Sequence, residues 1–411
     1  MVRQEEIALV IDSQRETFLN QDKGYSREVL NHIPIVDDYA TIITGIRRGG
    51  KSTLLLQLLQ RDYQEALYLN FDDIRFSAFE TADFARVHRE IEKRGIRVLF
   101  FDEIQLVRNW ETFIHQLLRE GYKVFITGSN ATMLSTELGT HLTGRYLSME
   151  LFPFSYSEYL QIKNLANADT AVEAYIKTGG IPQFIKSGIP DLIHALVDDI
   201  LMRDIALRYS IRDINSLRQL AVYLISNIGN LISANKLVGM FGIKSATTLL
   251  EYFSYLKDSY LLDFAPLFDH SLKVQARNPK KVYVMDMVIY SEGSMTTSEN
   301  IGRRLENVIF LSLRRKFKQI FYYKNKGECD FVVLERGKLV TAIQVCYQIH
   351  DENFTRELAG LTEAMKDLKI SKGYIITLKQ HEVIEKDGLV IEIIPAHEFL
   401  TNSLQQLLQK A

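Results

Sequence analysis

A glycine-rich turn of the form GxxxxGK[ST] is the segment that most constrains the fold of this 411-residue chain. It runs from Gly45 to Ser52 and reads GIRRGGKS. An apolar run ending at Thr44 precedes it, and a leucine-rich stretch ending at Leu59 follows it. A strand, a glycine turn and a helix in this order place successive backbone N–H groups at a helix N-terminus, where they can cradle phosphate oxygens. The pattern predicts a phosphate-binding loop in an α/β fold.

Two side chains of this loop are expected to carry its chemistry. Lys51 would neutralise the β- and γ-phosphates of a nucleotide, and the Ser52 hydroxyl would bind Mg²⁺. The cradle does not require Arg47 or Arg48, so their role stays open. A glycine turn without a ligand is the alternative. The residues that we assign to nucleotide contact are Gly45, Arg48, Gly49, Gly50, Lys51, Ser52 and Thr53.

A second motif lies downstream of the loop. Residues 97–103 read RVLFFDE, which is typical of a buried strand that ends in two carboxylates. Asp102 would bind the magnesium shell, and Glu103 would polarise the attacking water as a general base. An ordinary strand followed by an acidic helix cap is the alternative, and the phosphate loop makes it the weaker one.

Strands alternate with helices from Tyr39 to about Pro153, which predicts a parallel sheet with helices on both faces. Ligands of such sheets bind at the carboxyl ends of the strands. Ser129 and Asn130 follow the fourth strand, so we expect them to contact the γ-phosphate or the attacking water. The predicted strands are Tyr39–Thr44, Ala66–Asn70, Val98–Asp102, Lys123–Thr127 and Tyr146–Leu151.

Arg145 is a candidate for a role in a neighbouring subunit. It follows a predicted helix over Ala131–Leu142 and comes just before the fifth strand. An arginine there faces outward and cannot reach its own nucleotide. It could reach the nucleotide of a neighbouring subunit and stabilise transition-state charge in trans. A solvated loop arginine is the alternative.

Composition narrows the class of protein. Hydrophobic residues are 46% and charged residues 24% of the chain, as in globular proteins. Cys329 and Cys346 lie far apart without metal-ligand spacing, which favours a reducing compartment. No apolar stretch approaches the roughly 18 residues of a membrane span, and the first residues are too charged for a secretion signal. We therefore expect a cytoplasmic protein, and the net charge of −2 does not by itself indicate a nucleic-acid binder.

Ten segments spread over the chain together resemble one protein family. That family is the group of bacterial and archaeal AAA-superfamily ATPases that carry a C-terminal domain of unknown function. The resemblance covers essentially the whole chain. The segments are GIRRGGKSTLL, FFDEIQ, ITGSN, LTGRY, LFPFSYSEYL, GGIPQF, NPKKVYVMD, GRRLEN, ECDFVV and IQVCY.

The resemblance implies a fold and a set of roles. The fold would be an α/β P-loop AAA+ core with a helical lid, a winged-helix domain and a C-terminal α/β domain of the PD-(D/E)xK, restriction-endonuclease type. Lys51 and Ser52 match the Walker A motif, and Asp102 and Glu103 match the Walker B motif. Asn130 matches sensor 1 and Arg145 the arginine finger, and we assign sensor 2 to Arg203. The expected domains are 1–35 (N-terminal helical segment), 36–153 (ATPase core), 154–210 (lid), 211–275 (winged helix) and 276–411 (endonuclease-like domain).

A helix-turn-helix pattern lies between Ser233 and about Leu256. Ser233 caps a short helix, residues 241–243 form a tight turn, and Ser245 caps a second helix. The second helix would present side chains to DNA, although its surface is only mildly basic. Docking onto a protein is the alternative. The expected DNA contacts here are Lys244, Thr247 and Thr248.

The segment between Ile301 and Gly327 gives a second indication of nucleic-acid binding. It holds eight basic residues against one acid, with Tyr322 and Tyr323 among them, which suits phosphate contact and stacking. A solvated helix face with a charged hairpin is the alternative. The expected phosphate contacts are Arg314, Arg315, Lys316 and Lys318.

Three residues of the C-terminal domain resemble a nuclease centre. Glu306, Asp330 and Gln344 match its acidic positions, and an active centre has a lysine two residues after the last of them. This chain has Cys346 there, and cysteine cannot replace a cation. We therefore interpret the domain as a nuclease-derived binding platform that does not cut.

These patterns predict an AAA+ ATPase that hydrolyses ATP with Mg²⁺, assembles as a homo-oligomer, with a hexamer favoured, and acts on DNA. One alternative is a nucleotide-controlled switch that docks onto a protein partner. The other is an ATP-gated DNA nuclease.

Overall fold

The computed structural model describes residues 1–131, 144–295 and 300–402. The chain forms two compact units. The first contains Met1–Phe152 and Asp258–Tyr260, and the second contains Pro153–Lys257 and Leu261–Ala411. Beyond Ala131, the predicted helix over residues 131–142 lies outside the described residues.

A five-stranded sheet forms the centre of the first unit. Its strand order is β2-β3-β4-β1-β5, and all of its neighbouring strands are parallel. The α/β fold with a parallel sheet is therefore confirmed, and the predicted strand ends differ from the observed ones by at most a single residue. The strands are β1 (Ala40–Thr44), β2 (Leu67–Asn70), β3 (Val98–Asp102), β4 (Lys123–Gly128) and β5 (Tyr146–Glu150).

Side chains of this sheet alternate between two apolar cores, because successive residues of a strand point to opposite faces. Ile42 and Phe101 lie in one core, while Ile43 and Phe100 lie in the other. Helices cover both faces. They are Gln4–Leu19, Lys51–Asp62, Phe84–Arg94 and Trp110–Arg119.

The N-terminal helix is part of the first unit. Ile7, Val10 and Ile11 are buried in the same core as Phe101. Leu9, in contrast, is 68% exposed and does not belong to this core. The 3.6-residue helical period explains the difference, because Leu9 falls on the opposite face from the other three side chains.

The second unit begins with a helical region, as the sequence predicts. Ser155 caps its first helix, because its hydroxyl accepts a bond from the Glu158 N–H group while the Glu158 carboxylate accepts one from the Ser155 N–H group. The region ends in a π-helical stretch, Ile200–Leu207. Its α-helices are Tyr156–Lys163, Asp169–Thr178, Pro182–Ser187 and Asp191–Asp199.

A small antiparallel sheet follows, with strand order β6-β8-β7. Its strands are β6 (Leu231–Ile232), β7 (Leu262–Ala265) and β8 (Lys280–Val284). The predicted boundary at residues 275/276 separates β7 from β8. These strands pair with each other, and the domain boundaries stay predictions. The helices of this region are Ile214–Ser226, Ala234–Leu237, Ala246–Asp258 and Leu272–Arg277.

The last region contains a six-stranded mixed sheet in the order β13-β14-β12-β11-β10-β9. Strands β9, β10 and β11 are antiparallel neighbours, whereas β11, β12 and β14 run parallel. The strands are β9 (Gln319–Lys324), β10 (Glu328–Glu335), β11 (Lys338–Val345), β12 (Lys372–Thr377), β13 (Glu382–Lys386) and β14 (Leu389–Pro395). The helices are Met287–Gly293, Ile301–Arg314, Asp351–Leu368 and Ala396–Thr401.

Candidate functional site

The phosphate loop lies at the carboxyl end of β1, where the sequence predicts it. Gly45 has a φ of +149°, and a Cβ atom there would lie 2.2 Å from the carbonyl oxygen of Leu151. Only glycine lets the chain pass this close to the end of β5. Gly50 has a φ of 96° and precedes the helix that starts at Lys51. The loop therefore leads its peptide N–H groups into a helix N-terminus, which suits phosphate binding.

Lys51 folds back onto this loop. Its ammonium group donates to the carbonyl oxygens of Gly45 and Ile46, each at 3.0 Å, and the residue is 6% exposed. Both partners are neutral acceptors, so an anionic phosphate is the stronger partner for the charged group. Ser52 and Thr53 follow on the first turn of the helix and are half-buried, whereas Arg48 is exposed.

Asp102 lies at the carboxyl end of β3 and is 1% exposed. The Tyr68 hydroxyl donates to its Oδ2 at 2.9 Å, and the Thr127 hydroxyl donates to its Oδ1. Burial and the nearby Asp102 charge raise the pKa of Tyr68, so this phenol stays a donor. Two neighbouring strands thus fix the orientation of the carboxylate.

Glu103 follows Asp102 in a left-handed backbone conformation with a φ of 54°. Such a conformation costs a non-glycine residue on the order of 1–3 kcal/mol and is concentrated at functional sites. Gln105 donates to its carboxylate. Burial raises the pKa of Glu103, Lys51 opposes this shift, and Asp102 adds to it. A raised pKa brings a carboxylate closer to the range of a general base.

Ser129 and Asn130 are buried at 3% and 0% exposure, directly after β4. The sheet register pairs Thr44 with Gly128, so these two side chains follow the strand next to the phosphate loop. The residues predicted from motifs in β1, β3 and β4 therefore meet at one edge of the sheet.

Sequence analysis missed two residues that support this loop. Arg27 is 4% exposed and donates to the carbonyl oxygens of Gly49 at 3.2 Å and Phe152 at 2.7 Å. Tyr260, which belongs to the first unit, donates to the Thr44 hydroxyl at 2.7 Å. Neither residue lies in a motif, so no local pattern could have identified it.

Arg145 lies away from the phosphate loop of its own chain. It is exposed, and its carbonyl oxygen accepts a bond from the Ala40 N–H group at 3.1 Å. This contact places it at the start of β5, about 13 Å of strand away from the edge that carries Gly45. Burial, followed by the nearby charges of Arg119 and Arg145, lowers the pKa of His115. Arg145 is thus part of a positively charged patch on the surface of the first unit.

The remaining predicted nucleotide and helix-turn-helix residues lie in the second unit. Arg203 is an exposed residue of the π-helical stretch, and its assignment as sensor 2 stays a prediction. Lys244 and Thr247 are exposed at the start of the helix Ala246–Asp258, whereas Thr248 is half-buried.

Arg314 and Arg315 contact other groups of the second unit. Arg314 Nε lies 2.8 Å from the Asp263 carboxylate, and Arg315 donates to the carbonyl oxygen of Pro153 at 2.8 Å. These contacts hold the two guanidinium groups within the protein, so the interpretation of both residues as DNA phosphate contacts is not supported. Composition alone could not separate them from Lys316 and Lys318, which are exposed.

The residues of the suspected nuclease centre do come together. Gln344 Oε1 accepts a bond from the Asp330 N–H group at 3.1 Å. Lys281 bridges Asp330 and Glu306, with N–O distances of 2.6 and 3.2 Å. Sequence analysis assigned no role to Lys281, because its contacts with these acids join separate elements of the fold.

Comparisons with known proteins agree with this description of the first unit. Residues 37–160 match a family model described as an AAA domain. Residues 169–299 and 301–399 match two domains of unknown function, DUF8612 and DUF4143. None of the helices in the described ranges is long and apolar enough to cross a membrane.

Two solved structures show weaker similarity. One is a signal transduction ATPase with numerous domains from Pyrococcus horikoshii, with 13% identity, 73% of this chain and 48% of that chain covered, and a TM-score of 0.26. The other is the ADP complex of Hsp104 from S. cerevisiae, with 17% identity, 61% and 40% covered, and a TM-score of 0.30. The chain spans less than half of each.

Relatives along the whole chain are closer. An uncharacterized protein of Haemophilus influenzae is 29% identical over 88% of this chain and 94% of its own length. An uncharacterized protein of Methanocaldococcus jannaschii is 32% identical over 88% of both chains. The chain therefore belongs to the same family as this archaeal protein and carries an AAA domain followed by two domains of unknown function.

Proposed function

We propose that this protein is a Mg²⁺-dependent ATPase that works as a homo-oligomer, with a hexamer favoured, and couples ATP hydrolysis to DNA binding or remodelling. The observation that carries the proposal is the meeting of Lys51, Asp102 and Glu103 at one edge of the parallel sheet. ATPases that transfer phosphoryl groups to water need such a combination of cradle, cation, metal carboxylate and base.

Each residue of this site has a proposed task. The loop N–H groups cradle the phosphates, and Lys51 exchanges its two carbonyl partners for phosphate oxygens. Ser52 and Asp102 fit a hydrated Mg²⁺, which would neutralise charge on the phosphate oxygens. Glu103 accepts the proton of the attacking water, while Ser129 and Asn130 position that water. Release of inorganic phosphate from ATP, dependent on Mg²⁺ and lost in Lys51→Ala, tests this proposal.

The exposure of Arg145 supports action on a neighbouring subunit. Arg145→Ala and Glu103→Gln proteins should each be nearly inactive. When mixed, they should regain activity, because some mixed sites pair an intact Arg145 with an intact Glu103. The mixture must be shown to co-assemble by light scattering or cross-linking. A co-assembled mixture that stays inactive at every ratio would count against action in trans.

The second unit offers a surface for DNA. Its order of one helix, a strand, two helices, a strand, the short helix Leu272–Arg277 and a further strand supports a winged helix. Asn235, Leu250 and Arg277 line one cavity of about 350 Å³, which places both helices and the β7–β8 connection on one face. Four exposed basic residues lie in these segments, namely Lys236, Lys244, Lys273 and Arg277. We therefore propose that DNA binds to this face and not to Arg314 and Arg315.

The dependence of DNA affinity on salt tests this surface. A Lys244→Ala, Lys273→Ala, Arg277→Ala protein loses three possible phosphate contacts. The negative slope of log affinity against log salt should become shallower by about two to three units. Its matched control is Lys316→Ala, Lys318→Ala, Lys326→Ala, which removes the same charge elsewhere in the second unit. If the salt dependence becomes shallower in the control protein instead, DNA binds at the basic segment that contains Lys316 and Lys318.

A protein-docking switch is the second candidate, because apolar side chains lie on the same face. Leu250 is 48% exposed in the second helix, and Leu272 is 78% exposed in the β7–β8 connection. Wild-type protein that binds neither single-stranded nor duplex DNA at low salt would favour this candidate.

The order of elements in the C-terminal region supports the proposal of an endonuclease-like fold, and two of its residues support the absence of cutting activity. A helix, three antiparallel strands, a second helix and a strand parallel to the third follow each other from Ile301 to Thr377. Gln344 and Cys346 replace the acid and the lysine that cutting needs.

A further inference from the structure

A buried ammonium group lies among the carboxylates of the C-terminal domain. The Lys281 side chain is 3% exposed, and its Nζ atom lies 2.6 Å from Asp330, 3.1 Å from Glu328 and 3.2 Å from Glu306. Lys281 comes from β8, which pairs with β6 and β7, whereas the three acids come from the helix Ile301–Arg314 and from β10. One side chain thus joins two sheets through charge.

The charges of this cluster compensate each other. Burial alone would lower the pKa of Lys281, but the three carboxylates outweigh it and raise that pKa well above its ordinary value. The lysine is therefore charged. Burial raises the pKa of Glu306, which also accepts a hydrogen bond from the Tyr283 hydroxyl at 2.7 Å. Asp330 Oδ2 accepts a bond from the Val345 N–H group at 2.9 Å. Each of these two acids thus has a second partner besides Lys281.

This arrangement does not fit Mg²⁺. The cation requires oxygen ligands about 2.0–2.1 Å away in near-octahedral geometry. Lys281 takes both the space and the negative charge that these ligands would offer. Gln344 donates to Glu357 at 2.7 Å and accepts from the Asp330 N–H group, so its amide is also engaged. Within residues 1–131, 144–295 and 300–402, no three His, Cys, Asp or Glu side chains are grouped to hold a metal ion.

We propose that Lys281 is an internal counter-ion that takes the place of a divalent metal in this centre. It closes the cluster of Glu306, Glu328 and Asp330 to Mg²⁺ and fastens β8 to the endonuclease-like domain. The centre of a metal-dependent fold has thereby become a structural contact between two regions of the second unit. A neutral residue at position 281 should reopen it to divalent cations.

Thermal unfolding of nucleotide-free protein tests this proposal. Lys281→Met keeps most of the length of the side chain and removes its charge, which leaves buried carboxylates uncompensated. The unfolding midpoint of the second unit should fall by roughly 6–20 °C in EDTA. Millimolar Mn²⁺ should restore several degrees, because it binds the same carboxylates. Wild-type protein should not respond to Mn²⁺, and Lys281→Met, Asp330→Asn should lose the rescue.

Three results would overturn the proposal. The first is a folded Lys281→Met protein whose midpoint ignores Mn²⁺. The second, which remains available if that variant fails to fold, is a Mn²⁺ ion bound to wild-type protein and lost in Asp330→Asn, as counted by electron paramagnetic resonance. The third is Mg²⁺-dependent DNA cutting by wild-type protein that Asp330→Asn abolishes and Lys51→Ala preserves.

Discussion

Two buried lysines, one in each unit, have opposite kinds of partner. Lys51 donates to two backbone carbonyl oxygens at 3.0 Å, whereas Lys281 contacts three carboxylates at 2.6–3.2 Å. A carboxylate or phosphate attracts an ammonium group with its full charge, which a neutral carbonyl oxygen lacks. Phosphate would therefore compete well for Lys51 and poorly for Lys281. A buried lysine can bind a ligand only when that ligand reaches it and attracts it more strongly than the groups that it already contacts.

The largest expected effect concerns Glu103, because we expect ATP turnover at the nucleotide site of the first unit and not at the Lys281 cluster. Glu103→Gln removes the proposed base but keeps the size and polarity of the side chain. The rate of ATP hydrolysis should fall by roughly 10²–10⁴-fold, while a fluorescent ATP analogue should still bind. The control is Glu65→Gln, the same substitution at an exposed glutamate of the first unit. Unchanged hydrolysis in Glu103→Gln would remove Glu103 from the catalytic role.

Matched substitutions of the two lysines should separate their functions. Lys51→Met should weaken ATP binding by roughly 10–150-fold, since a charged hydrogen bond contributes about 1.5–3 kcal/mol. Its thermal stability should fall less than that of Lys281→Met, because it leaves carbonyl oxygens rather than carboxylates without a donor. Lys281→Met should leave ATP affinity unchanged. ATP titration and thermal unfolding of both proteins measure the contrast. If Lys281→Met weakens ATP binding, or Lys51→Met does not, the distinction between the two lysines fails.

A smaller effect is expected at Arg27, which contacts the phosphate loop but lies outside its sequence motif. Arg27→Met leaves the buried carbonyl oxygens of Gly49 and Phe152 without this donor, at a cost of about 1–3 kcal/mol in the free energy of unfolding. ATP affinity should fall with it. Urea unfolding and ATP titration measure both effects, and Arg15→Met on the N-terminal helix is the control. An Arg27→Met protein as stable as the control would show that the loop does not depend on Arg27.

The glycine-rich loop and the five strands of the parallel sheet could be predicted from the sequence, because each is a contiguous pattern. The proposed nucleotide contacts of Gly45, Lys51 and Asp102 are inferred from spacing and stay predictions. Arg27 and Tyr68 could not be identified in this way, because each contacts residues far away in the chain. Their roles depend on a strand order that no local pattern specifies.

The same limit explains the errors in the second unit. Counting basic residues made Arg314 resemble its exposed neighbours, but its contact with Asp263 requires β7 to lie beside the helix. Lys281 lies in no charge pattern, because its three acidic partners come from other elements of the fold. Charge patterns along a chain therefore identify basic segments without showing which of their side chains face the solvent.

The burial of the N-terminal helix bears on how the first unit can be produced by itself. The AAA family model begins at residue 37, but Ile7, Val10 and Ile11 are already part of the core. A recombinant fragment cut at that family boundary would expose this apolar surface to solvent and lose the Arg27 contacts as well. Such a fragment should aggregate on expression, whereas one that starts at Met1 should remain in solution.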